Sequence, residues 1–426
     1  MREFRVSLVL WAWMLSMWSV SPRVYAAGKP QVSIAEAVAE ALDNNPGLIA
    51  ERAGITVAQT AMVTARLRPN PVVSYSADHL DALGTGYNDT NNAGPPELAL
   101  RIDMPWERGH KRAMRMDAAG YQARIASQKL ADSVRRLTLD VTLACIDVLE
   151  AKSRLALAKE NLTSLEGIVR LNESRVNAGA TAPVELTRSR VAMLQFRSSV
   201  KTAELSVATS RLRLQTLLGR ASPVDVAGDL KAPLPLAAPD LTRISETAFA
   251  RRPDLQAILL DQARSQADLR LQVAQGKVDY TVGAEYRRQQ GVNGKGNSLG
   301  VFFSVPVPVF SRNQGEIARA QAEHEQLRKS ELSLRSQISG EVAAAWNEFE
   351  TARGLVSEIE RDLLGPSQEA KTITAYVYQA GASSLIDVLD AQRAFNETMS
   401  AYYSAQADYR RAASRLASAV GEEVIP

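Results

Sequence analysis

Apolar residues along this chain recur in two rhythms. In the first, Leu334, Ile338, Val342, Ala345, Phe349, Ala352, Val356, Ile359 and Leu363 follow at steps of three and four, with Leu327 one longer step upstream. Leu155, Ala158, Leu162, Leu165 and Val169 do the same in the first half. A sustained seam of this kind predicts helices packed side by side in coiled-coil fashion. The surrounding stretches are rich in Ala, Leu, Glu, Arg, Gln and Ser. No proline falls between Pro105 and Pro183, Pro183 and Pro223, Pro308 and Pro366, or Pro366 and Pro426. That is helix composition. One helix is expected over about residues 109–178, roughly 100 Å long at 1.5 Å per residue. Such a length suits a structure that bridges two compartments. Pro366, where the first half has Ser164, should kink or break its helix.

The second rhythm has period two. Tyr280, Val282, Ala284 and Tyr286 alternate with Thr281, Gly283 and Glu285, and Leu299, Val301, Phe303 and Val305 alternate likewise. Leu98, Leu100, Ile102 and Met104 alternate with Ala99, Arg101 and Asp103, and residues 72–80, with Tyr75, form a weaker fourth run. Alternation over this length reads as strand. Polar, glycine-rich connections at 81–96 and 289–298 make one β-hairpin in each half.

The two halves repeat one plan. Asn45-Pro46-Gly47-Leu48 is echoed by Arg252-Pro253-Asp254-Leu255, Ala178-Gly179-Ala180 by Ala380-Gly381-Ala382, and Val184-Glu185-Leu186 by Ile386-Asp387-Val388, at offsets of about 202 to 207 residues. The expected division is a first repeat at 27–222, a linker at 223–240 with Pro223, Pro233, Pro235 and Pro239, a second repeat at 241–421, and a tail at 422–426. Each repeat holds a helix, a β-hairpin and a long helical hairpin.

Composition narrows the class. The chain is 46% hydrophobic and 23% charged with a net charge of +3, an ordinary folded balance without the basic block that nucleic-acid binding needs. Arg2 and Arg5, an apolar run at 6–20, and Val24-Tyr25-Ala26 read as an export signal cleaved before Ala27, so residues 1–26 are set apart. The single cysteine, Cys145, excludes internal disulfides and sits in an apolar helical context. No later stretch approaches a transmembrane helix, so a membrane location requires β-strands. Four strands are too few to close a barrel, and lipid does not tolerate open edges. Copies that pool their strands would remove the edges, in a number the pattern leaves open. Tyr75, Trp106, Tyr286 and Phe310 then suit an interfacial aromatic girdle. A small soluble sheet capping helices is the other reading of the four strands.

Few residues carry chemistry. Asp387 and Asp390 lie three apart, so on a helix they face one way. Under rotational symmetry they stack as carboxylate rings that favour cations. A solvated helix start, where acids meet the helix dipole, is the plainer alternative. Glu185 aligns with Asp387, while Arg188 takes the place of Asp390. Gly179 with Ala180, and Gly381 with Ala382, suit tight turns at the hairpin tips. His79, His110 and His324 are too dispersed for a tight metal site. Gly291, Gly294 and Gly296 fit a surface loop better than a phosphate loop. No nucleophile, base and oxyanion grouping emerges, so neither an enzyme nor a bound cofactor is expected.

The segment running from Tyr378-Gln379-Ala380-Gly381-Ala382-Ser383-Ser384-Leu385 through Ile386-Asp387-Val388-Leu389-Asp390-Ala391 resembles the TolC-like outer-membrane efflux family. Asn45-Pro46, Arg68-Pro69-Asn70-Pro71 and the duplicated layout strengthen the resemblance, which covers nearly all of the chain after residue 26. It implies an α+β membrane protein, a homotrimer sharing a 12-stranded transmembrane β-barrel continued by a periplasmic α-helical barrel. It also implies an outer-membrane exit duct whose tips meet a periplasmic adaptor joined to an inner-membrane RND-type pump. It places the periplasmic gate at Asp387 and Asp390, where Glu185 and Arg188 could link neighbouring hairpins across the closed mouth. The stretch from Met104-Pro105-Trp106-Glu107 to Arg108-Gly109-His110-Lys111-Arg112 resembles the CzcC-like heavy-metal-cation branch. Export of drugs or other organic solutes is the alternative, and a soluble periplasmic coiled-coil adaptor the rival of another class.

Overall fold

The computed structural model describes residues 31–80, 82–84, 96–231, 240–291 and 294–422. The expected export signal, most of the 81–96 connection, Pro233, Pro235 and Pro239 of the linker, and nearly all of the tail lie outside the described residues.

Each half runs helix, helix, strand, strand, long helix, long helix. The first half comprises β1 (Gln31–Val32), α1 (Ile34–Asn44), α2 (Pro46–Arg66), β2 (Val72–Asp78), β3 (Glu97–Trp106), α3 (Lys111–Asn177) and α4 (Pro183–Leu218). After the short β4 (Asp225–Val226), which pairs with β1, come α5 (Leu241–Arg251), α6 (Pro253–Gln275), β5 (Tyr280–Gly291), β6 (Gly294–Ser304), α7 (Gln314–Glu358), a π-helical turn (Ile359–Leu363), α8 (Leu364–Gln379) and α9 (Leu385–Val420). The repeat is visible in its joints. Asn45 caps α2 by accepting from the Leu48 N–H (3.1 Å) and donates to the Leu217 carbonyl (2.8 Å). Its counterpart Arg252 donates to the Ala419 carbonyl (3.3 Å) and pairs with Asp254 and Glu341. Two different side chains thus pin the same bend to the last helix of their half.

Pro366 does not break its helix, which runs on from α7 through a π-turn into α8. Proline offers no N–H to the carbonyl of Asp362, and its ring would strike that carbonyl. The helix widens by one residue just upstream, with the Leu364 N–H reaching back five residues to Ile359.

The four long strands form one antiparallel sheet in the order β2-β3-β5-β6, so the two hairpins join through β3 and β5. Tyr75, Leu100, Tyr286 and Leu299 lie across one rung, and Val73, Ile102, Ala284 and Val301 across another. Both rungs share one exposed apolar face. β5 and β6 extend into the stretch expected as a loop, pairing to Gly291↔Gly294. The ladder itself satisfies the backbone there, and extended geometry is open to glycine as to any residue. No helix among the described residues is long and apolar enough to cross a membrane.

Among the described residues two large cores, with a small third cluster of Tyr378, Leu385 and Val388 near the tips, hold the helices. Ile338, Val342, Phe349 and Val356 of α7 pack against Tyr409 and Leu416 of α9, with the Phe349 and Tyr409 rings 5.6 Å apart. Val141, Ile146, Leu214 and Leu218 pack with Val226 around Cys145, whose thiol burial pushes up to about 12, leaving it inert. Further along α3 the buried stripe differs from the expected seam. Leu157, Asn161, Leu165, Val169 and Asn172 are buried, whereas Leu155, Ala158 and Leu162 are only half-buried. Two asparagines occupy the seam because polar partners meet them from the second hairpin.

Candidate functional site

The chain presents two candidate surfaces, the tips of the helical hairpins and the exposed sheet at the other end of α3. At the first tip, α3 ends in a Schellman turn. Gly179 adopts φ 68°, its N–H bonds the Val176 carbonyl (3.0 Å), and the Ala180 N–H bonds that of Arg175 (2.8 Å). The second tip repeats this with Gly381 at φ 81°, its N–H on Tyr378 (3.0 Å) and the Ala382 N–H on Val377 (3.0 Å). The four expected tip residues therefore sit in equivalent turns. The following helices start differently. Pro183 opens α4 with its fixed φ, whereas Ser384 caps α9 through a reciprocal box with Asp387.

That box gives Asp387 a definite task. Its Oδ2 accepts from the Ser384 N–H (2.9 Å), the Ser384 hydroxyl (2.8 Å) and the Ser383 hydroxyl (3.1 Å). These donors, the backbone N–H foremost, hold its carboxyl below the usual carboxylate range and so oppose proton retention there. Asp390 is exposed and pairs only locally, with Arg393 at 3.1 Å. Arg188 likewise turns to Glu185 of its own helix at 3.2 Å. Within one chain, each of the four charges is thus spent on its own helix start. Val184 and Ile386, at equivalent positions beside the tips, leave apolar side chains exposed.

Residues that sequence reasoning missed join the two hairpins. The Tyr378 hydroxyl donates to Oδ1 of the fully buried Asn172 (2.6 Å). The Arg175 guanidinium donates to the carbonyls of Tyr378 (2.9 Å) and Gln379 (3.0 Å) and lies 5.1 Å from the Tyr378 ring centre. Higher up, Gln392 donates to Asn161 (2.7 Å), which donates to Asn396 (2.8 Å). The available signal was an asparagine recurring eleven residues apart among apolar seam positions, the pattern by which coiled coils set register.

At the sheet the two faces divide cleanly. Leu98, Leu100, Ile102, Met104 and Trp106 stand exposed on one face. On the other, Arg101 pairs with Asp103 (2.8 Å) and lies over the Phe302 ring (4.1 Å). Arg287 pairs there with Glu97 (2.7 Å) and Glu285 (2.9 Å). An apolar exterior backed by a charged interior is the division a transmembrane β-barrel needs. Among the described residues no group of three or more His, Cys, Asp or Glu side chains is placed to hold a metal ion.

A four-stranded open sheet with a lipid-type face, continued by helices long enough to span a periplasm, defines an outer-membrane channel component. Residues 37–220 and 244–422 both match the outer membrane efflux protein family, and the chain belongs to it. It is 26% identical over 408 residues to the cobalt-zinc-cadmium resistance protein CzcC of Cupriavidus metallidurans, covering 95% of this chain and 93% of that one. It is 24% identical over 415 residues to the pyoverdine export outer membrane protein OpmQ of Pseudomonas putida, covering 89% and 84%. Among solved structures, the transmembrane channel CusC superposes with a TM-score of 0.74 at 18% identity, covering 92% of this chain and 94% of that one. The expected fold class, a trimeric barrel continued by long helical hairpins, is that of these channels, and the protein is an outer-membrane efflux channel. The reading as a soluble adaptor is set aside by the family match and the sheet.

Proposed function

We propose that three copies assemble into a 12-stranded barrel and form the exit duct for divalent heavy-metal cations delivered by an RND-type pump and a periplasmic adaptor. The observation that carries the assembly is the four-stranded sheet, apolar outside, whose edge strands β2 and β6 pair with nothing among the described residues. The joint between the halves supplies a template for closure. The Arg108 N–H and the Lys111 ammonium both reach Asp279 at 2.8 Å, which fastens the end of the first hairpin to the start of the second. By the repeat, residues 305–313 after β6 would meet residues 67–71 before β2 of the next copy. Light scattering of the detergent-solubilised protein tests this reading. A trimer mass is expected, and a monomer mass would sink it.

The likeness to CzcC across nearly the whole chain favours metal cations, and that to OpmQ supports an organic solute as the second reading. In this reading Asp387 and Asp390 line the periplasmic mouth as two stacked rings, with Glu185 and Arg188 beside them. The adaptor docks on the turns at Gly179-Ala180 and Gly381-Ala382, where Val184 and Ile386 offer apolar purchase. Cation resistance restored to a strain lacking its own exit duct, without resistance to organic solutes, is the expected result. The reverse pattern would transfer the assignment to organic cargo.

A further inference from the structure

At the junction of sheet and helices lies a groove of about 520 Å³ whose lining includes Arg68, Met104, Trp106, Glu107, Lys111 and Arg112, with prolines between them. Its position follows from strand register. Trp106 and Tyr280 form the last rung of the apolar face, and the Arg108 guanidinium lies 4.5 Å from the Tyr280 ring centre. The groove therefore begins where the lipid-facing surface stops, at the side of the sheet from which α3 departs.

Its charge is unbalanced. Glu107 is taken by Arg115, and Lys111 by Asp279 at 2.8 Å. Arg112 donates to the Arg66 carbonyl (2.6 Å), and neither Arg112 nor Arg68 meets a carboxylate among the described residues. In the assembly proposed above, residues 305–313 of the next copy would border this groove, and they contain no acidic residue and one arginine. Two guanidiniums beside an exposed indole and two prolines, at the edge of a bilayer-facing surface, match an anionic head joined to an apolar tail. Guanidinium binds phosphate through paired, charge-assisted hydrogen bonds, and indole sits at the headgroup level.

We propose that this groove binds the phosphate headgroup of an anionic phospholipid in the leaflet facing the periplasm, its acyl chains running up over Met104 and Trp106. The proposal rests on the membrane assignment above. Arg68 and Arg112 hold the phosphate, Trp106 and the prolines flank the glycerol region, and each copy of the chain carries one site.

The test is native mass spectrometry of the full-length protein released from neutral detergent after exposure to phosphatidylglycerol, phosphatidylcholine or inorganic phosphate alone. Phosphatidylglycerol should be retained, up to one per copy, and phosphatidylcholine shed. Arg68→Gln with Arg112→Gln should weaken phosphatidylglycerol retention about tenfold while the assembly mass is unchanged. Equal retention of the two lipids by the wild type would overturn the proposal, as would equal phosphatidylglycerol retention by an intact double variant. Retention of phosphate with no gain from the lipid would show an ion site and overturn the lipid assignment. If the double variant does not assemble, the wild-type comparison of the two lipids decides alone. A monomer mass would count against the trimer, and the lipid comparison would remain readable on the monomer.

Discussion

Replacing Tyr378 by phenylalanine removes one oxygen atom from the contact that pins the second hairpin to the first. The hydroxyl lies 2.6 Å from Oδ1 of Asn172, a side chain with no exposure whose Nδ2 has no partner among the described residues. In Tyr378→Phe the whole Asn172 amide is left buried without a side-chain partner. Stranding a buried polar group costs about 1–3 kcal/mol. The penalty applies while α8 stays packed on α3, and water relieves it once the tips separate. Each protomer's tip equilibrium should therefore shift toward separation by roughly 5- to 150-fold. The assay is resting conductance of single channels in planar bilayers, wild type against variant in the same salt, with Asn172→Ala and the double variant completing a cycle. Tyr378→Phe should raise the resting open fraction, and Asn172→Ala should mask the effect in the double variant. Unchanged conductance together with purely additive single effects would refute the idea that this bond holds the mouth closed.

Further outcomes follow from the same geometry. Gly381→Pro should abolish export while leaving the solubilised assembly intact, because the left-handed turn at φ 81° is closed to proline; unimpaired export would remove the tip from the docking surface. Asp390→Ala, which spares the α9 cap, should weaken cation selectivity and block by multivalent cations. Wild-type behaviour would leave Asp390 a solvated surface charge. The Asp387 pKa is depressed in the folded chain, so its contribution is complete above about pH 4, the ordinary carboxylate value, and lost as pH falls through the lower folded value. Resting conductance should accordingly be flat across neutral and mildly acidic pH, and a transition centred near pH 6 would contradict the cap. Phe349→Ala, at a site with no exposure, should cost about 3–5 kcal/mol and lower the thermal midpoint; a shift of a degree or less would show that the α7–α9 seam is not the core it forms here.

The polar ladder between the hairpins and the charged inner face of the sheet have a common role. In the channel proposed above, both would place groups that prefer water along surfaces that come apart or stay wet. An entirely apolar seam would hold α8 and α9 against α3 more tightly and specify their register less well. Tyr378, Arg175, Asn161 and Gln392 fix the alignment of the hairpins with bonds that water can replace.

Sequence alone determined the four long strands, the long helices and their order, but not that the helix before each hairpin is two, nor the short β1–β4 pair. Period-two alternation marks all four strands, proline-free 3–4 seams mark the long helices, and glycine marks both tips. These signals are local, because the backbone's own periodicity decides which side chains share a face. The duplication was legible for the same reason, down to Asn45 and Arg252 at equivalent bends. Tertiary structure decided what depends on partners distant in the chain. The α3 seam runs through Asn161 and Asn172 instead of Leu155, Ala158 and Leu162, because Gln392, Asn396 and Tyr378, more than 200 residues away, satisfy the asparagines. β5 and β6 continue through a glycine-rich stretch because cross-strand pairing, absent from any local signal, completes their ladder. Asp387 shows the division most clearly. Its spacing from Asp390 placed both acids on one helix face, and only the fold of Ser383 and Ser384 around its carboxylate made it a cap as well, since a hydrogen bond needs a geometry that spacing alone does not contain.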